Sequence, residues 1–158
     1  MDLHALDLAT LSSLAGDAAS AAVLERLSQL GHVGVRRSHG YVFQRLLVGE
    51  PTIGELAEAL AITQQGASKH VAQLEELGWV ERFPDPGDAR LRRIRLTAAG
   101  HRIIEDARRV RGELDERLSE LLGEPDVTAA RRTLAALLEL TGRGGPARER
   151  RVPFVDVD

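Results

Sequence analysis

Apolar residues recur at intervals of three and four along most of this chain and switch to alternation only between Trp79 and Leu96. Ile53, Leu56, Ala57 and Leu60 predict a short amphipathic helix, and Thr52 with Glu55 three residues on has the form of a capping box that would begin it. Ala67, Val71, Leu74 and Leu77 predict a second helix, with Thr63 as its cap and Gly78 suited to ending it. Only Ala61 and Ile62 connect the two, so they cannot lie antiparallel with both stripes buried. A steep crossing, as in a helix-turn-helix, is expected. Trp79 to Phe83 then has strand character, residues 84–89 are loop chemistry, and Arg90 to Leu96 returns, with Ile94 and Leu96 inward and Arg93 and Arg95 outward.

The flanks are helical. Val23, Leu24, Leu27 and Leu30 form a stripe ending at Gly31, and Leu3, Leu6, Leu11 and Leu14 either extend that helix or form a separate one. His39 opens a helix through Tyr41, Val42, Phe43, Leu46 and Leu47, as a polar cap or pocket residue. Beyond Thr97, Ile103, Ala107, Val110, Leu114, Leu118 and Leu121 predict a long helix ending near Gly123, and Val127, Ala130, Leu134, Leu137 and Leu138 a last one ending at Gly142. These terminal stripes exceed what a small winged core can cover. A second copy of the chain is the expected partner, the alternative being an intramolecular helical cap on a monomer. The tail, 143–158, has no helical period and the composition of a linker, and Val152, Phe154 and Val155 are expected to dock on a dimer groove. The fold class is therefore mainly α with a small β-wing: flanking dimerisation helices in 1–50 and 98–142 around a winged helix-turn-helix core in 51–97.

The polar positions suggest what this core reads. The outward face of the second short helix carries Gln64, Gln65, Ser68, Lys69, Ala72 and Gln73, side chains suited to base edges and phosphates in a major groove. Glu75 and Glu76 would be repelled by phosphates, so the N-terminal half is expected to enter the groove. In the ribbon, arginines 82, 90, 92, 93 and 95 outweigh acids 81, 85 and 88, and a guanidinium there can enter a narrow minor groove. Asp88 is placed to hold the Arg90 side chain by a charge-assisted hydrogen bond. The plainer alternatives are a solvated helix face and a charged hairpin that only protects a sheet edge.

The run from Thr63 through Lys69 and Leu77 to Arg82, then Asp88, Ala89 and Arg90, then Arg95 to Gly100, resembles the MarR family of winged helix-turn-helix transcriptional regulators. The resemblance implies a homodimer on a palindromic site in double-stranded DNA, with recognition helices in successive major grooves and wings in the minor groove. In that family an Asp-x-Arg in the wing places the arginine, here Asp88 and Arg90; Ala89 departs from the further arginine of many members. The expected DNA contacts are Thr63, Gln64, Gln65, Ser68, Lys69 and Gln73 from the helix and Asp88, Arg90, Arg92 and Arg93 from the wing. The resemblance also implies a small, often aromatic and anionic effector in the cleft beside the dimer helices. Arg36, Arg37, His39 and Arg45 are polar groups suited to such a cleft and equally to phosphates or solvent, so no ligand residue is assigned. The rival reading is a winged-helix module for protein contact that does not read DNA.

Composition narrows the rest. The chain has 158 residues, 43% hydrophobic and 28% charged, a balance for one globular core. Its net charge of -3 does not oppose DNA binding, because acids 2, 7, 17 and 25 against Arg26 place negative charge in the first 31 residues, far from the expected interface. There is no long uncharged apolar run and no basic stretch before one at the start, so a cytoplasmic protein without membrane contact is expected. Cysteine is absent, which excludes disulfides, thiolate metal sites and thiol-based sensing. Lys69 is the lone lysine among 21 basic residues and there is no asparagine, a bias like that of a GC-rich bacterial genome. Histidines 4, 32, 39, 70 and 101 show no metal-ligand spacing, and His70, on the recognition helix, is expected to be exposed or on a phosphate. With no catalytic elbow, phosphate loop or dinucleotide fingerprint, neither an enzyme nor a cofactor is expected.

Overall fold

A computed structural model describes residues 2–148. After a 3-10 turn at Leu3–Ala5, a single helix α1 runs Leu8–Gln29, capped by the Asp7 carboxylate on the Thr10 amide at 2.9 Å. The early leucines thus belong to one long helix and a separate short turn. Helix α2 spans Arg37–Leu46, α3 Ile53–Leu60 and α4 Gln64–Glu76. Strands β1 (Val80–Pro84) and β2 (Arg92–Leu96) form the wing, and α5 (Ala98–Leu122) and α6 (Glu124–Leu140) follow. At the start of the tail, Gly144–Arg148 forms a short helix, α7. The expected docking residues Val152, Phe154 and Val155 lie outside the described residues.

Local chemistry accounts for the core elements. The capping box at α3 is complete, with the Thr52 amide donating to Glu55 Oε2 at 2.7 Å and the Glu55 amide to Thr52 Oγ1 at 3.3 Å. Ala61 takes a left-handed conformation (φ 55°) to turn the chain into α4, whose cap is Thr63 accepting from the Gly66 amide at 3.0 Å. The strands pair antiparallel from Val80 with Leu96 to Pro84 with Arg92, one residue later on the first strand than alternation suggests. The core gathers Leu56, Val71, Leu74, Trp79, Ile94 and Ile103 from α3, α4, the wing and α5. Trp79 anchors it, edge-on to Phe43 at 6.0 Å and to His39 at 5.9 Å.

Outside that core the chain covers little of itself. Val23 and Leu27 of α1 and Val110 of α5 still belong to the core cluster, but Leu118, Leu121 and Leu122 at the end of α5 and Leu134, Leu138 and Leu140 of α6 stay exposed, as do Leu8 and Leu14 of α1. Among the described residues, Val127 is the buried hydrophobic of α6.

Candidate nucleic-acid interface

Helix α4 presents its polar face as the sequence suggests: Thr63, Gln64, Gln65 and Lys69 are exposed, and Ser68 and Gln73 are half-buried. Its opposite face packs Ala67, Val71 and Leu74 into the core. His70 corrects the expectation of exposure or a phosphate contact, since it lies buried on the core side. At the far end of the helix, Glu75 is half-buried and paired with Arg82 of β1 at 3.1 Å. One of the two acids expected to repel phosphates is therefore neutralised within the chain.

The wing divides its arginines into two groups. Arg82 is taken by Glu75, Arg95 pairs with Glu81 at 2.7 Å and lies 4.6 Å over the Phe83 ring, and Arg93 meets Asp85. Arg90 and Arg92 are exposed, and their side chains make no hydrogen bond or ion pair among the described residues. Asp88 does not hold the Arg90 side chain. Its carboxylate accepts from the Arg90 backbone amide at 2.9 Å, an Asx-type turn that fixes the loop and leaves the guanidinium free. Asp85 closes the other half of the loop, accepting from the amides of Gly87 at 2.6 Å and Asp88 at 3.0 Å. These bonds, with the Arg93 guanidinium first among them, hold the Asp85 carboxyl below its usual range.

Behind the interface lies a buried histidine that sequence reasoning placed only as a cap or pocket residue. His39 is 1% exposed; its Nδ1 accepts from the Arg36 amide at 3.2 Å, which caps α2, and its Nε2 has no hydrogen-bond partner among the described residues. Burial, aided by the nearby charges of Arg36 and His70, pushes its pKa down to about 4, so the ring is neutral at physiological pH.

A cavity of about 570 Å³ opens between α1, α2 and α5, lined by apolar groups such as Leu24, Phe43 and Ile104. Arg36, Arg37 and Arg111 contribute to its wall, whereas His39 and Arg45 do not. Arg37 is bound to Asp17 of α1 at 2.8 Å. No group of three or more potential metal-ligating side chains occurs among the described residues.

Residues 33–91, which hold α2, the helix-turn-helix, β1 and the wing loop, match the model of the MarR family. Over that segment the chain is similar to the MarR family. Transcriptional regulator HosA of Escherichia coli O111:H- is 34% identical over 87 residues, a stretch that covers 53% of this chain and 64% of that regulator. The MarR-family fold extends further than the sequence likeness. The reduced form of MarR from E. coli superposes with a TM-score of 0.66 at 24% identity, over 84% of this chain and 97% of that one. A variant of S. aureus MepR bound to an oligodeoxyribonucleotide superposes with a TM-score of 0.64 at 21% identity, over 86% of this chain and 99% of that one. No helix among the described residues is long and apolar enough to cross a membrane.

Proposed function

We propose that this chain is a DNA-binding transcriptional regulator that acts as a homodimer, with the first turns of α4 in successive major grooves and Arg90 and Arg92 of the wings along the minor groove. The observation that carries this reading is the pairing of charges. Among the described residues, Arg82, Arg93 and Arg95 of the wing are paired with acids, whereas Arg90, Arg92 and Lys69 are not. A module for protein contact has no need of free cations beside exposed amides; a phosphate surface does. The relatives agree in kind, since HosA is named a transcriptional regulator and the MepR variant holds an oligodeoxyribonucleotide. MarR-family proteins are regulators rather than enzymes, and nothing in this reading calls for catalysis.

The exposed leucines of α5, α6 and the start of α1 support the dimer, because a face that apolar needs a partner and the same face on a second copy supplies one. The cavity between α1, α2 and α5 suits a small apolar effector with an anionic group facing Arg36 or Arg37. Such a ligand would regulate only by favouring one spacing of the two α4 helices over another. The test is selection of genomic duplex fragments by the full chain at physiological salt. The reading expects a palindromic consensus with half-sites about one helical turn, ~10 bp, apart. Recovery of fragments with no shared sequence would return the protein to the protein-contact reading.

A further inference from the structure

Arg93 stands on the outward face of β2 with Arg95, as alternation predicts, but that face is partly covered and its side chain is only half-exposed. Its Nε meets the Asp85 carboxylate at the mouth of the wing loop, and its Nη1 donates to the Glu50 carbonyl at 2.8 Å and lies 3.7 Å from the Glu55 carboxylate. That last carboxylate also caps α3 through the Thr52 amide. Backbone contacts run alongside: the Ile94 amide donates to the Pro51 carbonyl at 2.9 Å, and Thr52 forms a bridge with Arg93 itself. One guanidinium thus joins three segments, the wing loop, the connection between α2 and α3, and the first turn of α3. Since α3 packs on α4, this joint acts with the direct packing of β1 on α4, including the Arg82–Glu75 pair, to set the angle of the wing to the reading helix.

Building on the DNA-binding reading above, we propose that Arg93 is a positioning residue that sets the wing against α4, so that Arg90 and the α4 face meet the duplex in one register. The chemistry requires arginine. A planar fork with five donors can serve a carboxylate, a carbonyl and a second carboxylate at once, whereas an ammonium on a flexible stem offers no such fixed spread. A cation that merely touched phosphate would tolerate lysine.

Two substitutions separate these roles by sign. Asp85→Asn removes a negative charge beside the DNA surface, so plain electrostatics predicts tighter binding, while loss of the joint predicts weaker binding. Arg93→Lys keeps its charge, so a phosphate contact would survive and the joint would not. Affinity for the selected duplex is expected to fall roughly tenfold in each variant, the scale of one lost charge-assisted hydrogen bond, and by no more than that in the double variant. Wing protection in the minor groove should blur while guanine N7 protection by α4 persists, a split that general destabilisation would not produce. Tighter binding by Asp85→Asn, or unchanged binding by Arg93→Lys, overturns the proposal and leaves the DNA-binding reading intact. Failure of the unaltered chain to hold any duplex removes both.

Discussion

Gly100 lies where the first turn of α5 passes the backbone of Trp79, and a Cβ there would collide with the Trp79 carbonyl oxygen. Helix propensity alone would make Gly100→Ala stabilising by about 1 kcal/mol. The close approach reverses the sign, and a net loss of about 1–3 kcal/mol is expected, read from the urea midpoint. His39 gives a second prediction at this scale. Its pKa of about 4 in the folded state lies below the ordinary 6.5, so the unfolded chain binds more protons between those values. The stability that neutral His39 contributes is therefore complete above about pH 6.5 and lost as pH falls towards 4. Unfolding curves from pH 7 to 4.5 should show a shallower acid decline in His39→Gln; equal slopes would refute the assignment. Part of this scale was legible in the sequence. The burial of His70 was open to such a reading, since it lies between Ala67, Val71 and Leu74 on the core stripe, but its polarity led to the opposite expectation of exposure or a phosphate contact. The use of Asp88 on a backbone amide was not legible, because sequence spacing cannot say which donor of Arg90 a carboxylate will meet.

Among the elements, α3, α4 and the wing follow from capping residues and a change of period, signals that act within a few residues. The fate of the wing arginines required long-range information. Arg93 reaches back to Glu50, 43 positions away in sequence, because the segment before α3 lies against β2. Alternation had put Arg93 on the outward face without knowing that this face was partly covered. The division of labour between helix and wing yields a prediction. Arg90→Ala should weaken binding to all duplexes and lower the salt slope by about one counterion, whereas Gln65→Ala should chiefly change sequence preference at one or two positions. Titrations at several salt concentrations on the selected and a scrambled duplex check this. Equal effects of both changes on both duplexes would remove the distinction.

For the whole molecule, the long helices were legible as stripes, but the sequence did not say which leucines the chain would cover by itself. It covers Val23, Leu27 and Val110 and leaves most of α6 bare. Leu134→Glu alters a side chain already 48% exposed in the single chain, so its folding should change little while self-association is lost. Sedimentation of the variant at micromolar concentration should show the single-chain species against a dimer for the unaltered protein. The account depends most on two copies presenting α4 and Arg90 at the pitch of a duplex. Hydroxyl-radical footprinting of the full chain on its selected fragment measures this directly. Two minor-groove protections are expected, flanking major-groove contacts about 34 Å apart, with Arg90→Ala erasing the minor-groove pair alone. Protection that survives Arg90→Ala unchanged, or a single site with no two-fold partner, would contradict the account.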